Sequence, residues 1–457
     1  MSTITTSERS GSRPCHILAM PYPGRGHINP MMNLCKILSS KLDQKNHHRF
    51  FITFIVTEEW LGLIGHEPKP DNIRFATIPN VLPSELVRGV NMRSFVEDIH
   101  TKMEEPIEEL LDHIEIDKSI RRIIIADSLL KWPVDVGNRR NIPVALLWTM
   151  SAAAFSIFHH FELLVENGHF PYDLPEISKE IVDYIPGISS ICKGDLPTVL
   201  NIENLHKILG TFPCVQRAQY LLFSSIFELE PHIINALKPN FPFPLYSLGP
   251  IIPFLNLNKS PSKHKKHDYF EWLDSQPPNS VLYVSMGSFL PVSSTQNDEI
   301  AAVLRESGVK FLWVARGEAS RLKEIAGVLG TIIPWCEQLE VLCHPSVGGF
   351  WTHCGWNSTM ESVFAGVPML TCPISIDQLP NSKLIVDDWK VGWRVKRKVE
   401  SLPTKGEIAA LVNRFMSLDS NDRKEMMTRV KELQDISRRA LEGGSSEVNL
   451  NAFLANI

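Results

Sequence analysis

The chain has 457 residues, 44% of them hydrophobic and 21% charged, and a formal net charge of −5. That length exceeds what one hydrophobic core ordinarily organises, so two domains are expected. Mild acidity without a basic stripe argues against a nucleic-acid binder, and eight cysteines with no C-x-x-C pair fit reduced thiols of a cytoplasmic protein rather than a disulfide framework.

Residues 1–14 are polar and Ser/Thr-rich, lack the apolar core of a secretory signal, and read as a disordered tail. A strand is predicted at 15–20, ending in the turn Pro21-Tyr22-Pro23-Gly24-Arg25-Gly26. Ile28, Met31, Met32, Cys35 and Leu38 then follow helical spacing. The runs 50–56 and 73–78 read as buried strands, and 91–116 as one long amphipathic helix broken or kinked at Pro106. Two more strands are predicted at 122–127, ending on Asp127, and at 143–148. The apolar stretch 144–158 is interrupted by Thr149, Ser151 and Ser156 and is too short to span a bilayer. Strands alternating with helices predict a parallel sheet covered on both faces. Ligands of such sheets lie beyond the C-terminal strand ends, which is where His27 and Asp127 fall.

Residues 241–267 carry prolines and then Lys263-His264-Lys265-Lys266, a solvated linker by composition. A second alternating half follows, with strands at 280–286, 311–315, 348–352 and 369–372, a helix at 294–306, and helix from 408 to 441 ended by Gly443-Gly444. The last apolar positions, Val448, Leu450, Phe453, Leu454 and Ile457, are expected to pack on a domain surface. The predicted division is a first domain at 1–245, a linker at 246–268, a second domain at 269–440 and a tail at 441–457 that returns to the first domain.

The chemistry-bearing residues form two groups. Gly24 and Gly26 permit a tight turn and close backbone approach, and His27 follows at a helix start. A helix N-terminus disfavours the imidazolium, so His27 is suited to accept a proton, and a carboxylate on its other nitrogen would fix the tautomer. Asp127 is the candidate carboxylate. The second group runs from Trp335 to Gln378: Trp335-Cys336-Glu337-Gln338, then His353-Cys354-Gly355-Trp356-Asn357-Ser358, Glu361, and Asp377-Gln378. An aromatic platform, an imidazole, amides and carboxylates around glycine turns match what a sugar nucleotide requires: a flat base, a diphosphate and two rings of hydroxyls. Core packing gives no reason for that order of polar types.

This window resembles the signature box of plant secondary-product UDP-glycosyltransferases. The match lies in His353 to Ser358, Glu361-Ser362, Gly366-Val367-Pro368 and Asp377-Gln378. It extends outside the box to Gly26-His27, Asp127, Trp148-Thr149 and Ser285-Met286-Gly287-Ser288. The resemblance implies an α/β GT-B fold, two Rossmann-like doubly wound domains facing a cleft. It places Trp335 on the uracil, the Cys336 backbone on the base edge, and Gln338 and Glu361 on ribose hydroxyls. His353, Asn357, Ser358 and Ser288 would hold the diphosphate, helped by a helix N-terminus. Trp356, Asp377, Gln378 and Thr149 would hold the sugar. His27, steadied by Asp127, would deprotonate an acceptor hydroxyl and give a β-glycoside with inversion. Gln378 is the residue associated with glucose donors. UDP-glucose is then a co-substrate, with a small lipophilic hydroxylated acceptor, no cofactor, no metal, no nucleic acid or membrane partner, and a monomeric chain. Cys336, Glu337 and Ser346 depart from the usual alanine, proline and alanine of the box.

Two motifs carry no weight: the sequon Asn357-Ser358-Thr359, which falls in the diphosphate pocket, and Cys343-His344 with His353-Cys354, whose spacing fits no common zinc module. The alternative function is a non-catalytic UDP-sugar sensor. A dehydrogenase lacks support because no G-x-G-x-x-G follows a strand.

Overall fold

The computed structural model describes residues 14–44, 50–85, 92–114, 120–170, 180–198, 202–257, 267–287, 293–395 and 404–457. Most of the expected N-terminal tail, most of the basic linker segment, and Ser288 lie outside these residues.

The first half contributes β1 (Cys15–Met20), β2 (Phe50–Thr57), β3 (Ile73–Ile78), β4 (Arg121–Asp127) and β5 (Val144–Trp148). A short hairpin follows, β6 (Ile181–Val182) with β7 (Ile191–Cys192), and then β8 (Tyr220–Phe223) and β9 (Leu245–Ser247). Apart from the hairpin these form one parallel sheet in the order β3-β2-β1-β4-β5-β8-β9. Every residue of β1 and of β5 is buried, which is why both read as continuous apolar runs: the sheet is covered on both faces. The second half contributes β10 (Val281–Ser285), β11 (Lys310–Val314), β12 (Gly330–Ile333), β13 (Val347–Thr352), β14 (Met369–Thr371) and β15 (Gly392–Arg394), in the order β12-β11-β10-β13-β14-β15. All its pairings are parallel. Two doubly wound, Rossmann-like sheets result.

In both sheets the strand order reverses beside the first strand, between β1 and β4 and between β10 and β13. A doubly wound sheet opens a crevice at such a switch point. Met20 pairs with Ala126 at the end of the first ladder and Ser285 with Thr352 at the end of the second. His27 and Asp127 therefore follow one crevice, and Gly287 and His353 the other.

Several predicted elements differ. The single helix expected at 91–116 is two, Met92–Thr101 and Glu104–His113, and the break precedes Pro106. Pro106 is the third residue of the second helix, where its missing N–H is not needed. The helix expected at 408–441 is also two, Lys405–Met416 and Asn421–Leu441. Thr404 and Glu407 form a capping box that starts the first, and Ser420 is the N-cap of the second. Gly348-Gly349 lies inside β13, as the strand predicted at 348–352 requires. A Cβ on Gly348 would stand 2.2 Å from the Asn279 carbonyl oxygen, so close approach of two backbones sets that glycine. Strand β9 runs to Ser247, past the boundary expected at 245.

The C-terminal helix Ser445–Asn456 lies on β9 and belongs to the first domain's packing. Leu450, Phe453 and Ile457 are buried in one cluster with Ile17, Ile125, Leu147, Leu222 and Tyr246. Each such side chain stabilises the fold by roughly 1.5–3 kcal/mol on full burial. Asn449 Nδ2 donates to the Ser247 carbonyl at 3.0 Å, Ser446 to the Gly249 carbonyl, and the Tyr220 hydroxyl to the Asn456 carbonyl at 3.0 Å.

Polar contacts join the two halves. The Trp356 indole N–H donates to the Ser224 carbonyl at 2.6 Å, and the Trp389 indole N–H to Leu229 at 3.3 Å. Arg394 holds Asp195 at 2.8 Å, and Thr198 and Ile376 form an antiparallel bridge. Among the described residues no helix is long and apolar enough to cross a membrane, and all eight cysteines are free.

Candidate active site

β1 ends in a tight turn in which Gly24 N–H bonds the Tyr22 carbonyl and His27 N–H the Gly24 carbonyl, at 2.8 and 2.9 Å. The helix Arg25–Gln44 begins there, so His27 stands in its first turn. His27 Nδ1 is 2.8 Å from Asp127 Oδ2 and 2.9 Å from Thr149 Oγ1. Asp127 is wholly buried, and its other oxygen accepts the Leu129 N–H at 2.9 Å. A carboxylate only accepts, so Nδ1 carries the proton and Nε2 the free lone pair. This is the tautomer a general base needs.

Thr149 was expected on the sugar. Its hydroxyl instead shares the Nδ1 proton, which makes it a third member of the His27 constellation. It sits between β5 and the helix Ala152–His159. The Ser151 side chain and the buried Glu230 carboxylate cap that helix, the latter accepting the Ala152 and Ala153 N–H groups at 3.0 and 2.8 Å. Nothing in the sequence spacing marks Thr149 as a partner of His27, since the two lie on different strand ends.

In the second domain the Trp335 indole is 48% exposed, a flat face open to a ligand, while Cys336 beside it is buried. Gln338 is committed to its neighbours. Its Nε2 donates to Ser358 Oγ at 3.0 Å and Glu361 Oε2 at 2.7 Å, and its Oε1 accepts from the Tyr283 hydroxyl at 3.1 Å. Tyr283, hidden in the apolar run of β10, is a support that periodicity could not reveal. His353 lies in a cradle of glycines. A Cβ on Gly287 or on Gly355 would stand 2.5 Å from its Nε2, and Gly287 has φ +79°. Burial pushes the His353 imidazole down to about 4, against a hydrogen bond to the Ser285 backbone that opposes the fall, so it is neutral at pH 7.

Trp356, Asn357 and Ser358 are the first three residues of the helix Trp356–Ala365. The N–H groups of a first turn have no intrahelical partner and favour an anion. The Trp356 side chain is buried and its N–H is spent on Ser224, so its indole departs from the sugar contact expected of it. The Asn357 amide donates to the Gly26 carbonyl at 2.8 Å, across the cleft. Asp377 accepts from Asn381 Nδ2 at 2.7 Å. Burial raises the Asp377 carboxyl to about 6, with Asn381 and the His27 imidazole among the groups opposing that rise. Gln378 Oε1 accepts from the Ile374 and Ser375 N–H groups at 2.8 and 3.2 Å, which leaves only its NH2 to meet a ligand. Ile376, just before this pair, has φ +58°, a strained value for a β-branched residue, and the bridge to Thr198 holds it.

Burial pushes the Glu361 carboxyl from 4.5 up to about 7; the Gln338 hydrogen bond opposes this and the Glu337 charge adds to it. The fold thus holds this proton more tightly than the unfolded chain does. The stability contributed is fully present below pH 4.5 and is lost as pH rises toward 7. Glu361→Gln is therefore expected to raise the Tm of the ligand-free protein at pH 8 by a few degrees while weakening UDP binding. Thermal melts at pH 6 and 8, with and without UDP, test this, and an unchanged Tm at pH 8 would contradict it.

Residues 211–426 match the family described as UDP-glucoronosyl and UDP-glucosyl transferase. UDP-glycosyltransferase 87A2 of Arabidopsis thaliana is 48% identical over 449 residues, covering 97% of this chain and 96% of that protein. Phytolacca americana UGT2, solved with UDP-2fluoro-glucose and pterostilbene, superimposes with a TM-score of 0.80 at 27% identity, covering 97% of this chain and 99% of that one. A UDP-glucosyltransferase from Polygonum tinctorium, solved with 3,4-dichloroaniline, does so with a TM-score of 0.79 at 26% identity, covering 97% and 98%. The chain belongs to the plant UDP-glycosyltransferase family and is a UDP-sugar-dependent hexosyltransferase of GT-B fold.

Proposed function

We propose that the protein transfers glucose from UDP-glucose to a hydroxyl of a small lipophilic metabolite, with inversion to a β-glycoside. The observation that carries this reading is the His27–Asp127–Thr149 constellation at one switch-point crevice, joined to the first turn of the helix Trp356–Ala365 by the Asn357–Gly26 hydrogen bond. His27 Nε2 takes the acceptor proton as the hydroxyl oxygen attacks the anomeric carbon. The bond from that carbon to the diphosphate breaks on the opposite side. The charge on departing UDP meets the N-terminus of the helix Trp356–Ala365, the His353 ring and the Ser358 hydroxyl, so the proposed reaction has no step that needs a metal. Asp377 and the Gln378 amide face the sugar hydroxyls as acceptor and donor.

Glucose as the donor is supported by Gln378 and by the UDP-2fluoro-glucose bound to the Phytolacca americana protein. We place the acceptor beside the segments 81–91 and 170–196, which fall partly outside the described residues. The helix Ala152–His159 meets the second of these segments where the Ser156 hydroxyl donates to the Pro186 carbonyl at 3.1 Å.

Purified protein should release UDP from UDP-glucose, and not from UDP-galactose, with members of a phenol and terpenol panel, and NMR of the product should show a β anomeric proton. Donor binding without UDP release across the panel would instead favour the sensor reading. Trp335→Ala should weaken UDP affinity about 5- to 100-fold, since base–aromatic stacking contributes roughly 1–3 kcal/mol. Calorimetric titration checks this, and an unchanged Kd would remove the indole from the base site.

A further inference from the structure

We propose that Asn357 is a positioning residue whose side chain straps the helix expected to hold the diphosphate to the turn that carries His27. The inference rests on the reading of His27 as the base and of 335–378 as the donor site. It is carried by two observations from different domains that complete one hydrogen bond. Asn357 Nδ2 donates to the Gly26 carbonyl at 2.8 Å. That carbonyl is open because Pro30 lies inside the helix Arg25–Gln44. In an α-helix the N–H of residue 30 would bond the carbonyl of residue 26. Proline has no N–H, and its ring pushes that carbonyl outward. The first domain thus leaves one carbonyl without its helical donor, immediately before His27, and the second domain supplies the donor.

The orientation of the amide follows from the same contact. Flipped, Asn357 would set Oδ1 against the Gly26 oxygen, two acceptors face to face. As placed, Oδ1 is buried and has no hydrogen-bond partner among the described residues. An acceptor atom is of no use to a diphosphate oxygen. With its acceptor end buried and one of its two amide hydrogens committed to Gly26, the side chain is arranged first as a strap. Holding Gly26 at a set distance from the helix Trp356–Ala365 sets the distance from His27 Nε2 to the anomeric carbon. Displacements of about 1 Å at a reacting centre can change rates about 10²-fold.

The test uses the full chain with Asn357→Ala and, separately, Pro30→Ala, which gives residue 30 an N–H that competes for the Gly26 carbonyl. For Asn357→Ala we expect kcat to fall about 10- to 100-fold with the Kd for UDP within about twofold of wild type. Hydrogen exchange across residues 24–28 should be faster than in wild type. Pro30→Ala should lower kcat in the same direction with UDP affinity intact, whereas a merely structural role gives the alanine an uninterrupted helix and no loss of turnover. A fall in UDP affinity matching the fall in kcat would make Asn357 an ordinary diphosphate ligand and overturn the proposal. So would wild-type exchange in Asn357→Ala, or wild-type kcat in Pro30→Ala. The exchange readout needs no turnover, so the strap is tested even if His27→Ala shows that the base has been misassigned.

Discussion

His27→Ala is expected to lower kcat for sugar transfer about 10²–10⁴-fold, the range ordinarily supplied by a positioned general base, with the Kd for UDP unchanged. The separation of effects follows from the geometry. His27 belongs to the first domain, and its Nδ1 contacts are Asp127 and Thr149, neither of which lies in the 335–378 window. The imidazole is committed through Nδ1 and presents Nε2, so alanine removes the proton acceptor without disturbing the donor pocket. Rates under single-turnover conditions, alongside calorimetric titration with UDP, measure both quantities. Full turnover by the alanine variant would assign the base elsewhere.

Asp127→Asn is expected to be nearly as damaging, for a reason that lies in the hydrogen-bond inventory rather than in charge alone. Both neighbours of the carboxylate are donors: Leu129 N–H at 2.9 Å and His27 Nδ1 at 2.8 Å. An asparagine has one accepting end. If its oxygen keeps the backbone N–H, its NH2 faces His27 Nδ1, which must then accept, and the ring proton moves to Nε2. That tautomer cannot take a proton from the acceptor. If the amide flips, NH2 meets the Leu129 N–H, donor against donor, at a wholly buried position. We expect a fall of about 10²–10⁴-fold and no further loss when His27→Ala is added, because the two act as one unit. An Asp127→Asn variant that keeps wild-type kcat while His27→Ala is inactive would take Asp127 out of the constellation.

Much of the fold was legible because buried parallel strands are continuous apolar runs. β1 and β3 coincide with their predicted spans, and β4 and β5 lie within a residue of theirs. The strands that were missed depend on their neighbours. β8, β9, β12 and β15 have three or four residues each, too short for a period to register, and they are strands because an existing ladder extends onto them. The long helices were over-extended across linkers of only two and four residues, 102–103 and 417–420.

In the site, the residue types were readable and their partners were not. Trp335 is exposed. Trp356 and Asn357, by contrast, spend their donors on the other domain, a relationship that exists only once two separately wound sheets face each other. Thr149 and Tyr283 each contribute a single hydroxyl from an otherwise apolar strand or strand end, and a hydrophobic pattern absorbs such residues silently. Glu337, unusual in the box, leaves its trace as a charge that helps push up Glu361.

The C-terminal helix bears on how the polypeptide is made. Ser247 and the Asn449 that bonds it are 202 positions apart. A ribosome finishes the first sheet long before it produces the helix that closes the sheet's outer face. Throughout that interval Tyr220 and Tyr246 lack the Phe453 ring that packs on them at 5.6 and 5.9 Å between centroids, and a nascent chain with such a face exposed is a natural client for chaperones. The second domain is translated and can fold in the meantime. A premature stop codon at 445 would leave His27, Asp127 and the 335–378 window encoded and would still remove the helix that packs on the domain holding His27.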